Sequence, residues 1–463
     1  MATVRNFGRN VEFRPREFAS PASEQELLGI LEATRNGRIR VVGARHAWSD
    51  AIVSGDVLVD MRHFNHVEIN EDSDAPTVTV GGGCQVKRLL KELNRRGLTL
   101  PSVGLITEQT IAGATATGTH GSGRHSLSHY LTAVRLACYR PDGSPAMVDV
   151  TEGDELRAAR CSLGCMGIVV SVTLPCVRQY QIEERATPCA TIDDALAREE
   201  SSPLQQFFLF PHLWQYFAQE RRVAETPRSW SAPLYRAYWF CGLDFGMHVA
   251  IKGTAAWLRS RPLVRLLFRS LLPRCIFPGW CVVDRSDRML VMEHELFRHL
   301  ELEAFVPDRH IRAAARFVEV LLKRADGEDA SLEADQLRQL DEAGLGHAFR
   351  ELRGRYTHHY PVCFRKILRD DTLLSMASGE ADAWYSISFI TYVEPRDDFY
   401  AFAELIAGSV VALFGGRIHW GKWFPLDRRA IETMYPDIEQ FRNVARNFDP
   451  HGVFRNRFTD RVL

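Results

Sequence analysis

Two stretches of this 463-residue chain carry residue types that could do chemistry. Residues 41–50, VVGARHAWSD, read as an apolar run that stops at Gly43 and then bends to present His46 and Trp48, with Ser49 and Asp50 behind them. An imidazole held rigidly on a short bend is a competent nucleophile. The plainer alternative is a histidine that hydrogen-bonds in the core. Residues 101–129, PSVGLITEQTIAGATATGTHGSGRHSLSH, are dominated by Gly, Ala, Ser and Thr between Gly104 and Gly123. Such density costs chain entropy unless the backbone must approach something closely. Successive N–H groups there could bind pyrophosphate oxygens, with Ser and Thr hydroxyls as further donors. GTHGSG reverses the Rossmann glycine spacing and GARHAW lacks the later glycines, which disfavours nicotinamide binding of the usual kind. Taken alone, a tight-turn loop accounts for the stretch equally well.

His125 and His129 form an i, i+4 pair in HSLSH, but no cysteine or carboxylate completes a shell around them, so no metal is expected. His120 fits better as a buttress of the small-residue loop. Gly164 and Gly167 flank Cys-Met before an apolar run and suit either a close backbone approach or a routine turn.

These residues need elements to position them. Ser23 and Glu26 make a capping-box pattern before Leu27, Leu28, Ile30 and Leu31, a helix that stops at Gly37. RIRVVG, DVLVDM and PTVTVGGG read as strands, and CQVKRLLKELNRRG as a helix whose apolar face is Val86, Leu89, Leu90 and Leu93. LTAVRLACYRPDGS and CMGIVVSVTLPCV add β-rich segments, the first closed by a Pro-Asp-Gly turn. The alternation predicts an α+β or α/β domain. After about residue 178 the texture changes to long aromatic-rich segments, which marks a domain boundary.

In combination the motifs resemble a known family. VVGARHAWSD, TIAGATATGTHGSG, SLGCMGIVVSVTL, the late GGRIHWGKWF and the terminal MYPDIEQFRNVARNFDPHGVFRNRF stand in the order and spacing of the sugar-lactone and alditol oxidases, which include gulonolactone, arabinonolactone and alditol oxidases. The likeness covers nearly the whole chain. It implies an α+β fold of the vanillyl-alcohol oxidase type, with a PCMH-type FAD-binding domain at 10–180, an α+β cap over the substrate at 181–410, and a C-terminal segment at 411–463 that returns to the FAD domain. It also implies FAD, tethered covalently through His46, and hydride transfer from a C–OH substrate (an aldonolactone, an alditol or a related alcohol) to flavin N5. Dioxygen or another acceptor then reoxidises the flavin.

The resemblance assigns cofactor contacts to Gly43, Ala44, Arg45, His46, Ala47 and Ser49 in the first loop. In the second it assigns them to Ser102, Gly104, Thr110, Gly113, Thr117, Gly118, Thr119, His120, Gly121 and Gly123, with Gly167 and Ile168 beyond. Arg45, Ala47 and Trp48 depart from the family's commoner small residues. On the reacting side it places Lys422 beside flavin and substrate, where a cation would stabilise charge on the reduced ring. The family's Glu-x-Arg pair becomes Cys363 and Arg365, and the next strand offers Ser386, Ser388 or Thr391, of which Ser388 is the chosen site residue. A thiol is a poor partner for substrate hydroxyls, so a polyol or lactone need not be preferred. With that carboxylate gone, the base candidates are His358, His359 and His419. An NAD(P)H-dependent flavin reductase, a non-catalytic flavin or lactone binder and a zinc hydrolase are the alternatives.

Composition narrows the field further. The net charge of −1 gives nothing to attract nucleic acid, and small neutral or polar substrates fit better. The start, MATVRNFGRN, lacks a secretory h-region, and the ten cysteines contain no CxxC pair, which together indicate a reducing, cytoplasmic setting. No apolar run reaches the roughly 20 residues of a spanning helix. Residues 254–280 punctuate Leu, Phe and Trp with arginines, which reads either as a peripheral membrane contact or as a core-facing helix pair broken at Pro262 and Pro273.

Overall fold

The computed structural model describes residues 3–71, 75–292, 295–394 and 396–463. Near the start, the Ser23 hydroxyl accepts the Glu26 N–H at 3.2 Å, and the Glu26 carboxylate accepts the N–H of Ala22 rather than that of Ser23. Helix Glu24–Ala33 follows and buries Leu27 and Leu31. Val57–Asp60 is buried along its whole length at the centre of a three-stranded parallel sheet, between Glu17–Ala19 and Ile39–Val42. Burial on both faces suits the apolar run Val57, Leu58 and Val59, and Asp60 at its end is paired with Arg62.

A five-stranded antiparallel sheet packs behind it in the order Pro145–Val150, Ala133–Tyr139, Ile168–Pro175, Thr77–Gly81, Val67–Asn70. Gly143 turns the first hairpin with φ +79°. Helix Val86–Arg95 buries Val86, Leu89, Leu90 and Leu93, the face that its apolar spacing predicts.

The later chain builds one antiparallel sheet of eight strands. Its order is Val282–Arg285, Gln181–Cys189, Gln215–Ala224, Gln206–Phe210, Val362–Leu368, Ala383–Tyr392, His299–Pro307, Arg417–Ile418. The last strand lies within the segment that the sequence assigns to the FAD domain, yet it pairs with Ala304 and Phe305 at this sheet's edge. The chain then returns to the first domain: the Val453 carbonyl accepts the Ile39 N–H at 2.8 Å, and the Asn456 amide donates to the carbonyls of Asp50 and Val53, each at 2.9 Å.

The helical stretches at 232–257 and 261–275 are separated just before Pro262, which sits in the first turn of the second stretch, where a missing N–H has no partner to lose, and Pro273 lies in that stretch's last turn. All ten cysteines are free, and seven of them are buried.

Candidate active site

A cavity of about 420 Å³ runs between the loop at 43–48, the small-residue loop and the inner face of the eight-stranded sheet. One end is mainly backbone, formed by Gly43, Ala44, Gly104, Gly113, Gly164 and Gly167. A Cβ on Gly43 would fall 2.1 Å from Thr110 Oγ1, so the two loops close on each other only because that side chain is absent, and within the second loop a Cβ on Gly104 would fall 2.6 Å from Thr119 Cγ2. Buried Arg40 ties the floor together by donating to the carbonyls of Ala51 and Leu163 at 2.7 Å and of Phe454 at 2.5 Å. A narrow trough walled by backbone fits the dinucleotide half of FAD.

The first loop is clamped from both sides. Trp48 donates its ring N–H to the His299 carbonyl at 2.7 Å and its backbone N–H to the Gly421 carbonyl at 2.8 Å, while the Ser49 hydroxyl donates to the Trp420 carbonyl. Arg45 occupies the left-handed region at φ +62°, the conformation for which a glycine would be favoured. His46 is thereby turned into the cavity, its ring stacked 4.9 Å from that of Phe7.

On the sheet, residues directly opposite one another share a face. Phe208, Cys363, Ser388 and Glu303 form one such row across four strands, and Gln206, Arg365, Ser386 and Phe305 the next. Ile390 stands opposite Glu301 in a third row. Lys422 reaches in from the loop after the final strand to contact Glu301; its ammonium lies 4.0 Å from Glu303 Oε2 and 4.6 Å above the Trp48 ring. His120 Nε2 approaches Glu303 Oε1 at 3.1 Å, and the ring's other nitrogen faces the Gly121 carbonyl at 3.0 Å. Arg365 donates to Gln206 Oε1 at 2.8 Å.

The charges follow from these contacts. Burial alone would raise the Glu303 carboxyl, but His120, Lys422 and His419 together hold it well below the ordinary carboxylate range. Burial lowers His419 to about 3, so that ring is neutral, and its Nδ1 accepts the Gly421 N–H at 3.0 Å. Burial pushes the Cys363 thiol up to about 11, which keeps it protonated. His46 Nε2 lies 3.3 Å from Glu295 Oε1. Burial lowers this imidazole to about 4 and raises the carboxyl to about 7, so both are uncharged in weakly acidic solution.

Of the cofactor contacts assigned in the sequence, six lie off the cavity wall; the rest line it, as do Lys422, Arg365, Cys363 and Ser388. Ser49 is held by Trp420, and Ile168 is wholly buried in its strand. Gly118 has φ +75° and faces Met376. A Cβ on Gly121 would meet the Val103 carbonyl at 2.6 Å, and one on Gly123 would meet that of Pro203 at 1.8 Å, so these glycines let protein pack on protein. Ser102 belongs to a separate small cavity with Arg124 and Arg221.

Among the base candidates, His419 lines the cavity, whereas His358 and His359 pack among Tyr356, Phe402 and Tyr392. Ser386 and Thr391 are buried off the wall. His125 and His129 stack on each other at 4.1 Å, and His129 faces Asp371. The donor atoms that do converge are those of His120, Glu303 and His419, within 4.8 Å of one another, and Lys422 already supplies a cation beside them.

The sequence reading treated the active-site carboxylate as lost, and in this respect it needs correction. Glu301 and Glu303 stand on strand His299–Pro307, buried, on the same face as Cys363. Their signal was the alternation in HLELEAFVP, where two acids recur every second residue in an otherwise apolar strand.

Residues 15–146 match a family described as an FAD binding domain, and residues 172–462 match the D-arabinono-1,4-lactone oxidase family. A long-chain alcohol oxidase from an uncultured marine euryarchaeote is 46% identical over 465 residues, covering 100% of this chain and 97% of its own. The L-gulonolactone oxidase of Mus musculus is 26% identical, covering 99% and 97%. Among solved structures, cholesterol oxidase from B. sterolicum superposes with a TM-score of 0.75 at 15% identity, covering 99% of this chain and 96% of that one, a likeness of fold. The fold is of the vanillyl-alcohol oxidase type with a PCMH-type FAD-binding domain, and the chain, an FAD-dependent oxidoreductase acting on CH–OH groups, belongs to the D-arabinono-1,4-lactone oxidase family.

Proposed function

We propose that this enzyme oxidises the hydroxyl-bearing carbon of an alcohol with a long apolar body, passes the electrons on to dioxygen, and holds its flavin covalently through His46. The substrate class rests on one observation: the cavity changes character along its length. Glu301, Glu303, Lys422 and Arg365 gather at one place, and beyond them the wall is mainly apolar, with Phe208, Met247, Leu296, Phe297, Tyr360 and Ile390 beside the polar side chains of Asp244 and His248. An alditol or aldonolactone would present several hydroxyls to that apolar wall and to the Cys363 thiol, leaving them poorly partnered. The 46% identical relative named as a long-chain alcohol oxidase supports the same choice.

When bound, FAD supplies the two-electron acceptor for the hydride that leaves the carbinol carbon. Residues of the chain do the remainder. Glu303 accepts the hydroxyl proton, kept ionised until then by His120 and Lys422. Arg365, fixed by Gln206, orients the substrate oxygen, and the aromatic wall excludes water from the rest of the molecule. The uncharged imidazole of His46, stacked on Phe7, has a lone pair that would bond the ring methyl in place of one of its C–H hydrogens, the proton leaving to solvent and the two electrons passing through the flavin to dioxygen.

Anaerobic mixing of the yellow protein with straight-chain alcohols, alditols and aldonolactones tests the substrate class. The long alcohols should bleach it, with kcat/KM rising by up to about fourfold per methylene, the equivalent of about 0.8 kcal/mol per buried CH₂. Bleaching by alditols or lactones alone refutes the proposal. Acid precipitation tests the tether: the colour should stay in the pellet and move to the supernatant in His46→Ala.

A further inference from the structure

Twelve of the fourteen large apolar side chains that stand exposed among the described residues lie between Trp230 and Leu296. Trp230 is 90% exposed and Trp257 70%. The helices of this region already bury one apolar stripe: Ile251, Val264, Leu267, Phe268 and Leu272 pack on Phe210, Phe217, Tyr360 and Tyr392. Positions 264, 267, 268 and 272 make up one face of a helix. Leu263 and Leu266 stand away from that face and are exposed, and Leu271, at the end of the wider turn Leu267–Leu271, is exposed as well. Apolar surface of this extent marks an interaction site.

Charge identifies the partner. Residues 226–280 hold eight Lys and Arg against a single acid, Asp244, and of these Arg228, Arg236, Arg265 and Arg269 pair with acids elsewhere in the fold, Asp284, Asp326 and Glu328. Arg259 and Arg274 are exposed and enter no ion pair among the described residues. A second copy of the chain would set like charges against each other, whereas an anionic lipid surface complements both the arginines and the aromatic side chains. Among the described residues no helix is long and apolar enough to cross a membrane. We infer that this segment docks the enzyme on the surface of an anionic bilayer, lying in its interface with Trp257, Leu263 and Leu266 among the headgroups.

The same segment closes the apolar end of the cavity, which Trp239, Met247 and Leu296 line. A lipophilic alcohol can therefore pass from the bilayer into the site without crossing water. That last step rests on the proposed substrate class, but the docking does not.

Flotation of the holoenzyme with phosphatidylcholine vesicles, with and without phosphatidylglycerol, tests the docking. The protein should float with the mixed vesicles and stay behind with the neutral ones. Partition should fall by about tenfold or more in Arg259→Glu/Arg274→Glu, as two charges near an anionic surface imply. Leu263→Gln/Leu266→Gln should be weakened likewise. Both variants should keep their flavin absorbance, their melting temperature and their bleaching rate with a short dissolved alcohol. Flotation indifferent to lipid charge, flotation retained by both variants, or a dimer that the leucine changes dissolve would each overturn the assignment. Flotation is scored without turnover. Its failure therefore leaves the alcohol proposal standing, and an enzyme that floats yet is never bleached by long alcohols fails on the other count.

Discussion

His46 and Glu295 face each other across 3.3 Å with opposite displacements: the imidazole titrates at about 4 and the carboxyl at about 7. Burial is the first cause of each shift and neither partner causes the other's, so single replacements separate them. Between about pH 4 and 6.5 the unfolded chain binds the extra proton at His46, so this group's contribution to stability rises with pH. Between about pH 4.5 and 7 the folded chain binds the extra proton at Glu295, so that contribution falls with pH. The two slopes oppose in the native enzyme. Calorimetry across this window should show His46→Ala losing stability as pH rises and Glu295→Gln gaining it, each by on the order of 1–2 kcal/mol. Slopes of the same sign in the two variants would disprove the opposite displacements.

Glu303 sits between His120 and Lys422 as the proposed proton acceptor. Glu303→Gln should retain FAD and lower the anaerobic reduction rate with a long alcohol by about 10²–10⁴, the range for loss of a general base. Glu301→Gln, which touches only the lysine side of the cluster, should cost less. Reduction of the Glu303 variant within a few-fold of native would remove this residue from the chemistry.

Cys363 stands opposite Ser388, and Arg365, two residues further along the same strand, shares its face in the next row. Cys363→Glu would put a carboxylate beside that arginine. Reduction by alditols should improve relative to long alcohols by about tenfold, the value of one charge-assisted hydrogen bond to a hydroxyl. An unchanged preference would show that the apolar wall, not this position, sets the choice.

Arg45 holds φ +62° with its side chain exposed. Arg45→Gly should relieve that conformation and raise stability by about 0.5–1 kcal/mol, after allowing for glycine's greater freedom when unfolded. A lower melting temperature would mean that the guanidinium makes a contact worth more than the relief.

The scaffold was readable where local rules dominate. Val86, Leu89, Leu90 and Leu93 announced their helix by spacing alone, and the Pro-Asp-Gly turn announced its hairpin. The glycines of the small-residue loop were harder to read, because a close approach to a ligand and one to another stretch of protein leave the same mark. Gly113 and Gly123 of that loop differ in this way: the first lines the cavity and the second abuts Pro203. Glu301 and Glu303 escaped notice for another reason. A motif carried over along one strand places the acid at residue 363, whereas the fold delivers it through cross-strand register from a segment some 60 residues earlier. Only the pairing of three strands reveals that these positions share a face.

Arg40 bonds the carbonyl of Phe454, 414 residues further along the chain, as well as that of Leu163. Arg40 is therefore translated long before one of the carbonyls that hold it, and a chain stopped between these two points would leave this guanidinium beneath the cavity with one partner fewer.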